Sequence, residues 1–294
     1  MNSLILKDSM RPYFSFTLIG TGATGSHFYR SLCQDLRSHM DKPGFDKKPS
    51  FKLEHVMLID GDTVEKKNLG NQLFDAEDIG ERKVISLAER YGEHYDLPVK
   101  YYPEYVKDLE TLNGLVSIPE HSERHFFFMP VLIGMVDNNA TRRLIDDFFY
   151  QEEVYNLIYI DTGVEGVASA ENTRNVDGTG FGGQVVIGFK YAGQVILEPV
   201  GRVYTNILED QDSPFPGCGV QLPSQPQRAA TNKMAAQLAN NIVNNLLHTF
   251  GIYQHVINFN CQYGGSSPVL ISKETMKEFE MIRDGGTEEG GASV

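Results

Sequence analysis

The sequence predicts a doubly wound α/β fold: a mostly parallel sheet with helices on both faces, continued by antiparallel strands. Three observations predict it. Strand-length apolar runs alternate with helix-period segments through the first half. The first of these runs stops at a glycine cluster, and the second half changes to hairpin spacing.

Taken in order, Tyr13 to Ile19 is rich in aromatic and β-branched residues and ends at a glycine, as a buried first strand should. A helix is expected from about Gly25 to Arg37. The polar stretch Ser38 to Ser50, with two prolines, reads as a surface insertion before a second strand, His55 to Ile59. Helical periodicity resumes over Glu81 to Tyr91, and a short strand follows at Val99 to Tyr102. His125 to Val136 is almost continuously apolar, which suits a central parallel strand buried on both faces. A helix over Asn139 to Tyr150 and a strand over Tyr155 to Asp161 complete the alternation, giving a Rossmann-like core. Beyond it, Gln184 to Phe189 and Gln194 to Leu197 form a hairpin turning at Tyr191 to Gly193. The proline-dotted crossover, about residues 199–228, shows no sustained period. It leads to a helix over Ala229 to Phe250 and a strand near Val256 to Asn260. Residues 1–282 are expected to form one domain, and the Gly- and Glu-rich residues 283–294 a disordered tail.

Composition excludes several classes of function. With 39 acidic and 26 basic residues the formal charge is −13, so no basic stripe is available for a nucleic-acid backbone. No apolar run approaches the roughly 20 residues of a membrane span, and the first residues lack the pattern of a signal peptide; a cytoplasmic protein is expected. The three cysteines, Cys33, Cys218 and Cys261, form no CxxC pair, and the eight histidines show no ligand spacing, so no structural zinc is expected.

The chemistry begins at Gly20-Thr21-Gly22-Ala23-Thr24-Gly25, a GxGxxG directly after a strand and opening a helix. Its glycines permit a tight turn and close approach of the backbone to a phosphate, and the helix N-terminus favours an anion. Asp60, ending the second strand, is the acid that would bind a ribose hydroxyl, whether of a mononucleotide or of NAD. The following segment, from Asp62 through Asn68, Asn71 and Gln72 to Lys83, places amides and a lysine where a triphosphate needs donors and a cation.

Here the chain resembles the ThiF/MoeB/HesA family, the bacterial relatives of ubiquitin-activating enzymes. The family pattern is the glycine motif, then D-x-D-x-V-x-x-x-N-L-x-R-Q, G-x-x-K and D-N-x-x-x-R. This chain has Asp60-Gly61-Asp62-Thr63-Val64, Asn68-Leu69-Gly70-Asn71-Gln72, Gly80-Glu81-Arg82-Lys83 and Asp137-Asn138-Asn139-Ala140-Thr141-Arg142 in the same order. The likeness continues through Asp161-Thr162-Gly163 and Gly182-Gly183-Gln184-Val185, and spans about residues 14 to 272. It implies that Gly20, Gly22 and Gly25 hold ATP, that Asp60 takes the ribose with Asp62 beside it, and that Asn68, Gln72 and Lys83 address the phosphates. Asp137 would hold Mg²⁺. Against that role, Asp137 precedes a helix and is also placed to be its N-cap.

The chain departs from the pattern at Asn71, which occupies the nucleotide-binding position where the family has arginine. Arg82 is a nearby substitute by sequence. The family's arginine-bearing N-terminal helix is not expected here, because the first strand begins too early for it, with Arg11 the one basic residue just before that strand. These features and the missing zinc motifs look most like the ThiF-like proteins of bacterial mobile-element and defence gene clusters.

Cys218, between glycines in the crossover, is either the thiol that accepts the activated protein as a thioester or an exposed, idle thiol. Cys33 and Cys261 are expected to be packed as small hydrophobes. The resemblance implies a homodimer that uses Mg-ATP to adenylate the C-terminal glycine of a ubiquitin-like or sulfur-carrier protein, with a conjugating enzyme as a further partner. A catalytically weak scaffold with the same fold and an NAD-linked oxidoreductase are the alternatives.

Overall fold

The computed structural model describes residues 2–6, 11–40, 51–116, 126–168, 175–209 and 227–284. Its parallel strands are β2 (Arg11–Ile19), β3 (Lys52–Ile59), β4 (Val99–Tyr102), β5 (Phe126–Gly134) and β6 (Leu157–Val164). Beyond β6 the sheet continues antiparallel through β7 (Gly182–Tyr191), β10 (Gln254–Asn260) and β11 (Gly265–Leu270). The order is β11-β10-β7-β6-β5-β2-β3-β4, with β8 (Gln194–Leu197) paired to β7. A separate pairing joins β1 (Leu4–Ile5) to β9 (Gly251–Ile252).

Alternation along the strands supplies two cores. In β2, β5, β6 and β7 the residues Phe14, Phe16, Leu18, Met129, Val131, Ile133, Ile158, Ile160, Val185, Ile187 and Phe189 face one side. Helix α1 (Ala23–Met40), helix α2 (Lys83–Leu87) and the long α7 (Ala229–Thr249) cover this face, and Phe279 of α8 (Lys273–Arg283) packs onto it. On the other face Leu132, Leu157, Tyr159 and Val186 pack against α3 (Leu109–Leu115), α4 (Asn139–Phe149), α5 (Val200–Val203) and α6 (Asn206–Glu209). Burial on both faces accounts for the near-continuous apolar reading of β5.

Several boundaries differ from expectation, each for a local reason. Helix α1 begins inside the glycine motif and runs to Met40, because His39 and Leu36 still face α7 and are buried. The helix expected from Glu81 starts only at Lys83: the Val64 N–H bonds the Glu81 carbonyl and the Gly80 N–H the Val64 carbonyl, which ties residues 80 and 81 to the preceding loop, and Arg82 is extended. It then widens into a π turn at Ala88–Glu93, where Gly92 has no room for a Cβ against Val99. The crossover opens with the short helices α5 and α6, and its residues 210–226 lie outside the described residues. At the other end, Arg283 closes α8, so the expected tail does not start there; residues 285–294 also lie outside the described residues. Among the described residues no helix is long and apolar enough to cross a membrane.

Candidate functional site

The chain runs outward from β2 to β3 and β4 on one side, then returns to β5 and β6 on the other. The carboxyl ends of β2 and β5 therefore flank the topological switch point, where open α/β sheets bind their ligands. Gly20 turns the chain there with φ +92°, and a Cβ on it would lie 2.4 Å from the Met135 carbonyl oxygen at the end of β5. Gly25 is equally constrained, since a Cβ would sit 1.9 Å from the Gly20 oxygen. Gly22 differs: among the described residues, its chain neighbours aside, no atom lies within 4 Å of where its Cβ would be, so its backbone faces open space beside the first turn of α1.

Asp60 closes β3 and ties the loops together. Its Oδ2 accepts from the Thr21 N–H at 2.7 Å and the Thr21 hydroxyl at 2.9 Å, and its Oδ1 accepts from the Asp62 N–H at 2.9 Å. Lys83, buried at the start of α2, donates its Nζ to Asp62 Oδ2 at 2.8 Å, and Tyr105 donates its hydroxyl to Asp62 Oδ1. Burial raises the affinity of both carboxyls for protons. At Asp60 it prevails over the pull of Lys83, whereas at Asp62 Lys83 prevails and holds the carboxyl below its ordinary value. Arg82, exposed, donates to the Gly61 carbonyl.

The amide residues occupy a 3₁₀ turn, Lys66–Gly70, and its end. Asn68 is buried, and its Oδ1 accepts from the Glu65 N–H at 2.7 Å, so this side chain shapes the turn. Gln72 Oε1 is buried without a hydrogen-bond partner among the described residues. The turn rests on α1, where the Leu73 N–H donates to Ser26 Oγ at 3.2 Å and the Asn71 backbone bonds His27.

Asp137 lies exposed just beyond β5. The cap of α4 is Asn138, whose Oδ1 accepts from the Thr141 N–H at 2.8 Å, so capping does not engage Asp137. Arg142 holds this corner from below. Its Nε sits 3.1 Å from both Asp161 oxygens, and its Nη2 donates to the carbonyls of Val136 at 2.7 Å and Thr162 at 3.0 Å. The Tyr105 phenol, pushed up first by burial and its bond to Asp62, also feels the charges of Asp60 and Asp137. Asp62 is thus bonded to this tyrosine, within reach of the charges of Asp60 and Asp137, and Lys83 is bonded to the same Asp62.

Of the predicted site residues, the fold brings Gly20, Gly22, Gly25, Asp60, Asp62, Lys83 and Asp137 to the switch-point crevice, with Asn68, Asn71 and Gln72 on the turn beside it. Cys218 lies outside the described residues. Cys33 is fully buried, and burial pushes its thiol up to about 12. Cys261 is only partly buried; its Sγ lies 3.0 Å from the Thr231 hydroxyl, a polar contact rather than the packing expected of it. Tyr105 has no motif to announce it. Its ring lies where a side chain on Gly61 would project, and it was placed there by the turn after β4.

Among the described residues no group of three or more His, Cys, Asp or Glu side chains stands close enough to cage a metal unaided. A carboxylate with phosphate oxygens and water is, however, the donor set Mg²⁺ prefers, and the exposed Asp137 fits that requirement.

A glycine turn at the switch point of an open sheet, with an acid closing the next strand, defines a Rossmann-type α/β protein. The ThiF family model matches residues 13–258, and the chain belongs to that family. No curated protein matches it. Among solved structures it is similar to PaaA, with a TM-score of 0.54 at 16% identity, covering 88% of this chain and 64% of PaaA. It is likewise similar to E. coli MccB solved with succinimide, with a TM-score of 0.51 at 16% identity over 88% of this chain and 63% of that one. E. coli MccB with ATP gives a TM-score of 0.50, again at 16% identity, over 88% and 64% of the two chains. The chain thus spans less than two thirds of the length of these structures, and the likeness shows a shared fold.

Proposed function

We propose that this protein is an adenylating enzyme that uses Mg-ATP to activate the C-terminal carboxylate of a small protein or peptide. The observation that carries the reading is the crevice itself: an open glycine backbone at Gly22, the ribose acid Asp60, Lys83 and the exposed Asp137 meet at the switch point of a ThiF-family sheet. E. coli MccB, solved with ATP and with AMPCPP and MccA, supports both the nucleotide and a small partner.

In this reading the partner's carboxylate oxygen attacks the α-phosphorus of ATP, forming an acyl adenylate and releasing pyrophosphate. The attacking group is already an anion, so no strong base is required. The protein's part is orientation and electrostatic stabilisation. Asp60 accepts from the ribose, while Gly20, Gly22 and Gly25 let the backbone approach the phosphates. Lys83 exchanges part of its bond to Asp62 for a phosphate oxygen, with Asn68, Asn71 and Gln72 lining the same end. Asp137 would hold Mg²⁺, which would supply charge neutralisation for the leaving pyrophosphate.

The partner favoured is a ubiquitin-like or sulfur-carrier protein ending in glycine, received by a cytoplasmic homodimer and passed to Cys218 as a thioester. From Cys218 it would go to a conjugating enzyme, in the setting of a bacterial defence or mobile-element cluster. The scaffold alternative draws support from the Lys83–Asp62 ion pair, which neutralises the buried cation assigned to the phosphates.

Thermal-shift titration with ATP and NAD tests the nucleotide, with stabilisation by ATP alone expected. Pyrophosphate exchange is then measured with candidate small proteins or peptides bearing a free or an amidated C-terminus. Exchange only with the free carboxylate is expected. Exchange that is absent for every carboxylate, despite ATP binding, would favour the scaffold.

A further inference from the structure

The crevice is short of positive charge at one end. Asp60, Asp62 and Asp137 oppose Lys83 and Arg82, while Asn71 stands where the family pattern carries an arginine. A triphosphate brings about four further negative charges. Cations are therefore needed beside the glycine motif, at the end away from the ribose acid.

The first turn of α7 lies at that end. Thr24, inside the glycine motif, donates its hydroxyl to Asn232 Oδ1 at 2.8 Å; both residues are buried, Asn232 completely. Asn232 in turn donates its amide to the Arg228 carbonyl at 3.3 Å, which fixes it in the turn. Its neighbour Lys233 is exposed and has no ion-pair partner among the described residues. One turn along α1 from Thr24 is His27, whose pKa is lowered first by burial and next by the charge of Lys233, while the Asn71 backbone bonds the same ring. Lys233, His27 and Asn71 therefore share one corner, reached from three separate elements. Of the other cations of this region, Arg30 is exposed on α1 and acts on His27 more weakly than Lys233 does, and two more are committed. Arg90 is bound to Asp75, Asp78 and the Leu73 carbonyl, and Arg228 to the Thr179 and Asp177 carbonyls and the Phe181 ring.

We infer that Lys233, carried to the glycine motif by the Asn232–Thr24 hydrogen bond, is a phosphate-binding residue of the nucleotide site and supplies the positive charge that Asn71 does not. The assignment rests on the adenine-nucleotide reading above. An ammonium on a flexible stem is a mobile point charge suited to a polyphosphate. Its exposure keeps it free to move onto the ligand, and the buried Asn232 keeps its helix in register with the motif.

Calorimetric titration of the full chain with MgATP, AMP and adenosine tests this in wild type, Lys233→Gln, Lys233→Arg and the double variant Lys233→Gln/Asn71→Arg. Lys233→Gln is expected to weaken MgATP about tenfold, AMP by about twofold or less, and adenosine not at all, at unchanged Tm. Its ATP affinity should also depend less steeply on salt than that of wild type. Lys233→Arg should bind as wild type does, and the double variant should regain most of the loss. Wild-type ATP affinity in Lys233→Gln, or an equal loss for adenosine, overturns the inference and leaves the nucleotide reading standing. A double variant no better than Lys233→Gln overturns the placement at the Asn71 corner. A wild-type protein that binds no adenine nucleotide overturns the reading and the inference together.

Discussion

Arg142→Met should be among the most destabilising single changes in this chain, and its cost can be worked from the contacts. The guanidinium is buried, with 10% of its side chain exposed, and it spends its donors on Asp161, Asn139 and the carbonyls of Val136 and Thr162. Asp161 is 1% exposed, and besides Arg142 it accepts from the Tyr159 hydroxyl at 2.8 Å. Removing one member of such a pair strands a charge in a low-dielectric interior, at a cost of about 3–5 kcal/mol. Against a total stability of about 5–15 kcal/mol that is a large fraction, equivalent to a fall in Tm of about 6–10 °C. Urea unfolding followed by circular dichroism at neutral pH measures it. Asp161→Asn should cost less, because three other acceptors remain around Arg142. The double variant should cost about 1–3 kcal/mol less than the sum of the two singles. A loss below about 1 kcal/mol for Arg142→Met, or strict additivity in the double variant, would refute the account.

Four further outcomes are expected. Gly25→Ala should fail to fold stably, its Cβ colliding with the Gly20 carbonyl, whereas Gly22→Ala should keep its Tm yet weaken ATP binding by calorimetry. Asp137→Ala should abolish pyrophosphate exchange in a folded protein, and exchange at the wild-type rate with unchanged Mg²⁺ dependence would remove the metal assignment. Asp146 is raised to about 6, chiefly by burial, so the folded state holds a proton there that the unfolded chain releases near 4. Its contribution is favourable at low pH and is lost as pH rises from about 4 to about 6. Asp146→Asn should accordingly raise Tm at pH 7.5 and bring no gain at pH 4.5; a lower Tm at pH 7.5 would contradict this. Cys218→Ser should leave exchange intact while removing any reductant-sensitive adduct with the small partner, and an undiminished adduct would move the acceptor role to another thiol.

The parallel half of the fold was legible because burial on two faces leaves a strong mark. The apolar run ending at Val136 and the strand Val99–Tyr102 could be read directly, and the hairpin was announced by Ala192-Gly193, where both residues take positive φ. Strand β11 left no such mark: every residue of Gly265–Leu270 is exposed, so no alternation was imposed on it. Helix α3 does carry a local signal in the sequence, the Asp108 cap followed by Leu109, Leu112 and Leu115. At the site, residue types in local motifs were legible, but their partners were not. Asp161 lies 19 positions from Arg142, and Asn232 lies 208 from Thr24, separations at which no local pattern operates. For the same reason Lys83 read as a free phosphate ligand, with nothing to announce its bond to Asp62 across the turn.

These long-range bonds share a consequence for the chemistry. Each loop at the crevice is held by a side chain from another element: the glycine motif by Asp60 and Asn232, the corner after β5 by Arg142, and the Asp60–Asp62 turn by Lys83 and Tyr105. The groups holding the loops are largely buried, whereas Asp137, Arg82 and Lys233 are exposed. A reaction whose nucleophile arrives already ionised gains mainly from orientation and fixed dipoles, which need a frame that does not reorganise when charge moves. The buried bonds provide that frame, and the exposed charges are the parts left to follow the ligand. Arg142, which touches no ligand in this arrangement, should therefore affect turnover through the position of Asp137: its loss should lower kcat of the adenylation step as well as Tm, while adenosine, which makes no call on the β5 corner, binds as before.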